Sequence, residues 1–208
     1  MFVGMGANGA GGGYNLENSL RFRSSATAYL SRTPTVAGNR KTWTLSAWVK
    51  RGKLGSSQSL FTAGTSTASA SSLFYMSLWS TDGIRFSSGT AQLGLTAAVF
   101  RDPSAWYHIV AAVDTTQAVT NNRIKLYVNG VQIAMTVTSL AQNADTATNN
   151  TVEHNIGKVL SVEYLDAYLT EVNLVDGQAL TASDFGEYNE DTGVWQPIEY
   201  TGTYGTNG

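Results

Sequence analysis

Cysteine is absent from the 208 residues, so a disulfide framework, a thiolate metal site and a cysteine nucleophile are all excluded, and stability has to come from the packed core. Proline occurs only three times and charged residues make up 13% of the chain, against 21 glycines. That balance leaves strands uninterrupted, joins them by turns, and leaves the surface to the hydroxyl and amide groups of Ser, Thr and Asn. Such a surface suits a protein that works outside a cell or in a particle. No segment approaches the ~20 apolar residues of a membrane span. Residues 1–13, MFVGMGANGAGGG, lack the basic start and continuous apolar stretch of a signal peptide. The expectation is a chain neither exported by such a peptide nor inserted in a membrane. A dense basic stripe interleaved with aromatics is also missing: Arg40-Lys41 and Lys50-Arg51 with Lys53 are short clusters, so no nucleic-acid partner is expected.

What is present is led by residues 124–135, IKLYVNGVQIAM. Asn-Gly between two alternating strands is the strongest short-range hairpin signal, because a type I′ turn needs positive φ at both central positions. With Asn129 and Gly130 as that turn, Val128 faces Val131, Leu126 faces Ile133 and Ile124 faces Met135, all apolar. Tyr127 with Gln132 and Lys125 with Ala134 occupy the other side. The same alternation runs through residues 42–50, where Trp43, Leu45, Ala47 and Val49 share one face and Thr44, Ser46, Trp48 and Lys50 the other. Residues 106–113 are apolar or aromatic on both faces, the mark of a central strand covered on both sides. Further strands are predicted at 19–23, 59–62, 73–78, 83–87, 154–157 and 164–174. The one helical signal is a single turn at 181–186, where Thr181 is a cap and Asp184 stands three residues on. The predicted fold class is all-β, an antiparallel two-sheet β-sandwich with one short helical turn.

Three regions follow: a Gly-rich N-terminal arm at 1–15, a sandwich at 16–186 and a C-terminal extension or linker at 187–208. Glycine at the density of the arm cannot hold one conformation unaided. Its apolar residues Phe2, Val3 and Met5 are therefore candidates for attachment to another subunit. Charge is uneven along the chain: every Lys and Arg lies at or before Lys158, and nine of the fifteen acids lie from Glu163 onward. Either late strands lie beside early ones and the charges pair internally, or neighbouring subunits complement each other.

In order and spacing, TWTLSAWVK (42–50), WYHIVAAVD (106–114), IKLYVNGVQI (124–133), HNIGK (154–158) and YLDAYLTEVNLVDGQALTASDF (164–185) resemble a laminin-G-like, concanavalin A-like jelly roll. With the Gly-rich start, SLRFRSSATAYLSRTP, AGNRKTWTLSAWVKRG and a terminal YGTNG, the whole is similar to virion proteins of tailed bacteriophages. The resemblance implies a virion location, other virion proteins as partners, and a homo-oligomer, a trimer as in phage fibres. It also implies a tail fibre or spike that attaches to a host-surface glycan. The alternatives are a capsid head-decoration protein and a secreted carbohydrate-binding module.

Fold alone does not give function. Concanavalin-like glycanases place carboxylates at alternate positions of one strand, about 5 Å apart. No two acids here are two residues apart, and the two histidines, His108 and His154, have no G-x-S-x-G elbow beside them. A non-enzymatic protein is expected. The ligand-binding candidates are Trp48, Tyr75 and Trp79 with Asp82, aromatic faces for stacking on a sugar ring beside groups that bond its hydroxyls. No cofactor is required. Calcium is the one metal considered, with Asp82, Asp114, Asn121 and Asn122 as oxygen donors in loops, although no calcium-loop spacing occurs.

Overall fold

Alternation in ten consecutive residues sets the frame of the molecule. In β3 (Thr42–Arg51) the side chains of Trp43, Leu45, Ala47 and Val49 enter the core, and every second residue is sent to the opposite face. The computed structural model describes residues 14–69 and 71–208, and the attachment residues Phe2, Val3 and Met5 lie outside them. One six-stranded sheet runs in the order β1 (Leu20–Phe22), β12 (Ala167–Asp176), β3, β8 (Tyr107–Asp114), β9 (Ile124–Val128) and β10 (Val131–Ile133). A second runs β2 (Leu30–Arg32), β11 (His154–Ile156), β4 (Gln58–Gly64), β5 (Leu73–Leu78), β6 (Ile84–Ser88) and β7 (Ala91–Leu95). All pairings are antiparallel. The fold is an antiparallel two-sheet β-sandwich.

The inner faces meet through large apolar side chains. Trp43 stands edge-on to Phe74 with ring centroids 5.3 Å apart, and Phe61, Met76, Leu78, Ile84, Phe86, Ile109, Leu126 and Leu165 fill the space around it. Each fully buried Leu, Ile or Phe contributes about 1.5–3 kcal/mol by leaving water. The Trp43 indole N–H is satisfied by Thr146 Oγ1 at 3.0 Å, so the largest core residue carries no unmet polar group.

The predicted hairpin forms around Asn129 and Gly130, with φ of 48° and 82°, and pairs Val128 with Val131 and Leu126 with Ile133. It is shorter than expected. β10 ends at Ile133, and Met135 bridges instead to Thr96 beside β7, so Ile124 does not face Met135, nor Lys125 Ala134. The chain leaves one sheet for the other because Gly94 offers a cleft filled by the Met135 side chain. Strands β2 and β7 went unpredicted because β2 is exposed throughout and β7 interrupts its alternation with Gly94. Late acids do meet early bases: Arg21 pairs with Asp166 at 2.5 Å and Arg85 with Glu163 at 3.3 Å.

A third layer covers the outside of the first sheet. Residues 177–200 include the one-turn helix at Ala182–Asp184, where Asp184 accepts from the Thr181 N–H at 2.8 Å, and the hairpin of β13 (Gly186–Tyr188) with β14 (Trp195–Pro197). Ala182, Phe185, Leu180, Trp195 and Tyr200 pack there on Val110, Tyr127 and Val175. The chain's last residues close the rim. Gly205, with φ of 78°, passes close over the Asp176 backbone, and the Asp176 carboxylate accepts from Asn39 N (2.7 Å), Asn149 Nδ2 (3.0 Å) and Asn207 N (3.2 Å). Residues 187–208, read from sequence as an extension or linker, thus pack against the sandwich.

Asp176→Ala leaves three donors without their acceptor in a buried rim, a loss of roughly 3 kcal/mol at the scale of hydrogen bonds to a charged group. Urea unfolding of the variant should give an unfolding free energy lower by that amount and a correspondingly lower midpoint, and an unchanged midpoint would place the rim's stability elsewhere.

Candidate functional site

Two outer faces exist, and the structure treats them oppositely. On the first sheet, outward-pointing Trp48 is 3% exposed and stacks on His108 with ring centroids 4.8 Å apart and planes 14° apart. His108 is stacked in turn on Trp195 of the C-terminal layer at 5.9 Å. Its Nδ1 accepts from Trp195 Nε1 at 2.9 Å, and its Nε2 donates to Ser46 Oγ at 2.9 Å. A sugar ring cannot reach Trp48 here, because the third layer closes the face from which it would stack. Burial lowers the His108 imidazole to about 4. His154 repeats the pattern: its Nδ1 donates to Val152 O (2.8 Å) and its Nε2 accepts from Asn149 N (3.0 Å). Burial lowers its imidazole too, outweighing the Val152 carbonyl, which raises it.

The calcium candidates are not gathered, and their oxygens are already engaged. Asp82 accepts from Gly55 N at 2.8 Å and is clamped by Arg51 and Arg101, each at 3.0 Å. Burial raises its carboxyl, but the Gly55 N–H and the two guanidinium groups overcome this and hold it below the ordinary carboxylate range. Positive charge thus already stands where a metal would bind. Asp114 accepts from Thr116 and Gln117 in its own turn, and Asn121 Oδ1 accepts from Val137 N at 3.0 Å, while Asn122 lies exposed in the neighbouring turn. Among the described residues no group of three His, Asp or Glu is placed to hold a metal ion, and these donor-filled carboxylates do not fit calcium. The Asp82 backbone N–H donates to the Trp79 carbonyl in the same turn, but the Asp82 carboxylate that was expected to bond a sugar beside Trp79 is engaged with Gly55, Arg51 and Arg101.

The outer face of the second sheet is different in kind. Register places Ser31, Asn155, Thr62, Tyr75 and Ser87 in one row across five strands, with Ser77 and Arg85 paired in the adjacent row. The alternation that buries Phe74, Met76 and Leu78 sends Tyr75, Ser77 and then Trp79 outward. The Arg85 guanidinium lies over Trp79 at 3.3 Å from the ring centroid and over Tyr75 at 5.3 Å. Its Nη2 donates to Tyr75 Oη (3.2 Å) and to Glu163 Oε1 (3.3 Å). Glu163 enters from the loop beside β4, held at φ 51° with its carbonyl accepting from Ser59 N at 2.8 Å. Backbone in that region is costly for a residue with a side chain, and such positions cluster at functional sites.

The face also has unmet hydrogen-bonding capacity. Ser77 Oγ, Arg85 Nε, Asn155 Oδ1 and Glu163 Oε2 are buried without a partner among the described residues, half of all such side-chain atoms there. Buried polar groups are normally satisfied, and these four atoms have essentially no accessible surface, so they report how the face packs and lie out of a ligand's reach. Sequence reading found Tyr75 and Trp79 but missed Arg85, Glu163, Ser77 and Asn155. Alternation of Tyr75, Ser77 and Trp79 was legible, whereas Glu163 and Asn155 reach the face only through the pairing of distant strands.

With this geometry in place, the chain matches the family model described as the concanavalin A-like lectin/glucanases superfamily over residues 23–184, and it belongs to that family. No curated protein matches it at a significant level. Among solved structures, it is similar to a SAP-like pentraxin from Limulus polyphemus, with a TM-score of 0.52 and 15% identity over 74% of this chain and 71% of that one. It is also similar to NanB sialidase from Streptococcus pneumoniae (TM-score 0.54, 16% identity, 84% of this chain and 29% of that one). Trypanosoma rangeli sialidase gives a TM-score of 0.50 and 19% identity over 69% of this chain and 22% of that one. The chain therefore spans under a third of the sialidases it resembles. The expectation of a non-enzymatic protein is corrected here: solved structures similar to this chain include sialidases, at 14–20% identity and over a small part of their chains, in a fold that lectins share.

Both histidines serve as neutral acceptors, so stability should be full above the ordinary imidazole value of 6.5 and fall as pH drops through about 4. His108 alone accounts for a fall on the order of 3 kcal/mol. Unfolding titrations of the wild type and His108→Gln should differ in slope between those limits, with the variant the flatter. Equal slopes would show that His108 does not carry the dependence.

Proposed function

We propose that this chain is a carbohydrate-binding jelly roll whose ligand lies on the outer face of the second sheet, at Tyr75, Trp79, Arg85 and Glu163. The observation that carries this reading is the juxtaposition of two part-exposed aromatic rings, Tyr75 and Trp79, held together on one polar sheet face by the Arg85 guanidinium. Sugars present an apolar ring face and a rim of hydroxyls, and sites that bind them combine a stacking surface with convergent polar groups. Membership of a family that includes lectins supports the same reading. The setting we propose is a tail fibre of a bacteriophage virion, where the sandwich would contact the host surface. Support for that setting is the resemblance carried by the Gly-rich start, the SLRFRSSATAYLSRTP and AGNRKTWTLSAWVKRG segments and the terminal YGTNG.

Trp79→Ala and Tyr75→Ala should each weaken binding on a bacterial-surface glycan array by about tenfold, the scale of one lost aromatic contact, with the fold retained by circular dichroism. Unchanged binding in both would remove this face from consideration. Electron cryo-microscopy of the particle should place the chain on a tail fibre, and density over capsomers would replace host attachment by capsid decoration.

A further inference from the structure

We infer that Tyr29 is a second stacking surface on this face, so that the ligand is an extended glycan chain lying across the strands from Tyr75 and Trp79 to Tyr29; this rests on the carbohydrate-binding reading above. Antiparallel register puts Ser31 beside Asn155 on the outer face, and Tyr29, two residues before Ser31, is sent the same way. Tyr29 is 44% exposed. The Lys158 ammonium lies over its ring, 3.8 Å from the centroid, and pairs with Glu153 at 3.4 Å. Alternation alone would turn Lys158 toward the core. Gly157, with φ of 95°, breaks that alternation, and Lys158 comes out on the face that Glu153 shares with Asn155. Asn155 Nδ2 donates to Glu153 at 2.8 Å, and this bond, with the Lys158 charge, holds the carboxyl below its ordinary range.

The two ends of the face are built alike. At one, Arg85 lies over Trp79 and Tyr75 and pairs with Glu163; at the other, Lys158 lies over Tyr29 and pairs with Glu153. In each the cation is buried behind the ring: the side chains of Arg85 and Lys158 are 9% and 13% exposed, while Tyr75, Trp79 and Tyr29 reach the surface. Each cation thus backs an aromatic ring on its protein side and leaves the opposite face to solvent, the apolar surface on which a sugar stacks. A ring fixed from behind also loses little side-chain freedom on binding.

Spacing sets the length of the ligand. From β2 to β5 there are three interstrand steps, across β11 and β4, or about 14 Å at the usual separation of neighbouring strands. One sugar ring cannot touch Tyr29 and Tyr75 together, whereas a chain of about three or more rings spans them. The edge beyond Tyr29 is open, because β2 ends the sheet and all three of its residues are exposed, so a longer chain can run past it. Once one platform is engaged, contact with the other is intramolecular and adds affinity without a second encounter.

The test immobilises dextran, mannan, galactan and lipopolysaccharide O-chains, and competes the full protein off each matrix that retains it with mono-, di-, tri- and hexasaccharide fragments of the same glycan. Competition is expected to strengthen with length until a fragment spans both platforms. Tyr29→Ala should weaken hexasaccharide binding by about tenfold, the scale of one lost aromatic contact, and leave monosaccharide binding unchanged. Tyr29→Phe keeps the ring and should keep the affinity. Circular dichroism should show both variants folded, since Tyr29 lies at the surface. A monosaccharide that competes as well as the hexasaccharide would overturn the extended chain and leave carbohydrate binding intact. Hexasaccharide binding that Trp79→Ala weakens and Tyr29→Ala does not would do the same. Retention on none of the matrices would count against the carbohydrate-binding reading, and the inference would fall with it.

Discussion

Period-two alternation is the constraint on which the rest of this molecule depends. Each residue that fills the core places its neighbours on an outer face, so a two-sheet sandwich has two further surfaces to hydrate, cover or use. The first sheet is covered. Its outward residues include Trp48, His108, Val110, Tyr127 and Val175, too apolar to face water, and the segment 177–200 lies over them. The second sheet sends out Ser31, Asn155, Thr62, Tyr75, Ser77, Arg85 and Ser87, which are mostly polar and carry no comparable apolar layer. Alternation therefore gathers polar groups on the outer face of the second sheet.

The covering layer introduces its own requirements. Trp195 brings an indole N–H under cover, and a buried donor without an acceptor costs about 1–3 kcal/mol. His108 supplies that acceptor through Nδ1, and Ser46 fixes the tautomer by receiving the Nε2 hydrogen. Gly130 completes the fit, since a side chain there would strike the Trp195 ring. The same glycine that permits the β9–β10 turn thus also admits the layer that packs against it. At the rim Asp176 plays the equivalent part for the loops at Asn39 and Asn149 and for the tail at Asn207, collecting three N–H groups from segments far apart in sequence. Asn149, which heads an Asn-Asn-Thr triplet of the glycosylation pattern, is 0% exposed and committed to this network.

Much of the architecture was readable because it rests on local alternation. The core face of β3, the central position of β8, the turn at Asn129-Gly130 and the helical turn capped by Thr181 and Asp184 each depend on residues within a few positions of one another. Where the reading failed, a distant partner decided the outcome. Met135 left its hairpin for a place beside Gly94, and Asp82 left Trp79 for Arg51 and Arg101. Trp48 looked available for stacking because the pattern puts it outside the core, and nothing local says that Trp195 and His108 will close over it.

By itself the sequence determined which face of each strand is apolar, that the chain builds antiparallel sheets, and that Tyr75 and Trp79 point the same way. These follow from side-chain direction alternating along a backbone, a property of neighbours. Tertiary structure alone decided that Glu163 meets Arg85, that Asn155 joins the same face two strands from Tyr75, and that the first sheet's outer face is closed. Those are matters of which strands pair and in what register. Such contacts join residues tens of positions apart, so no local pattern encodes them, and the whole core fixes them together.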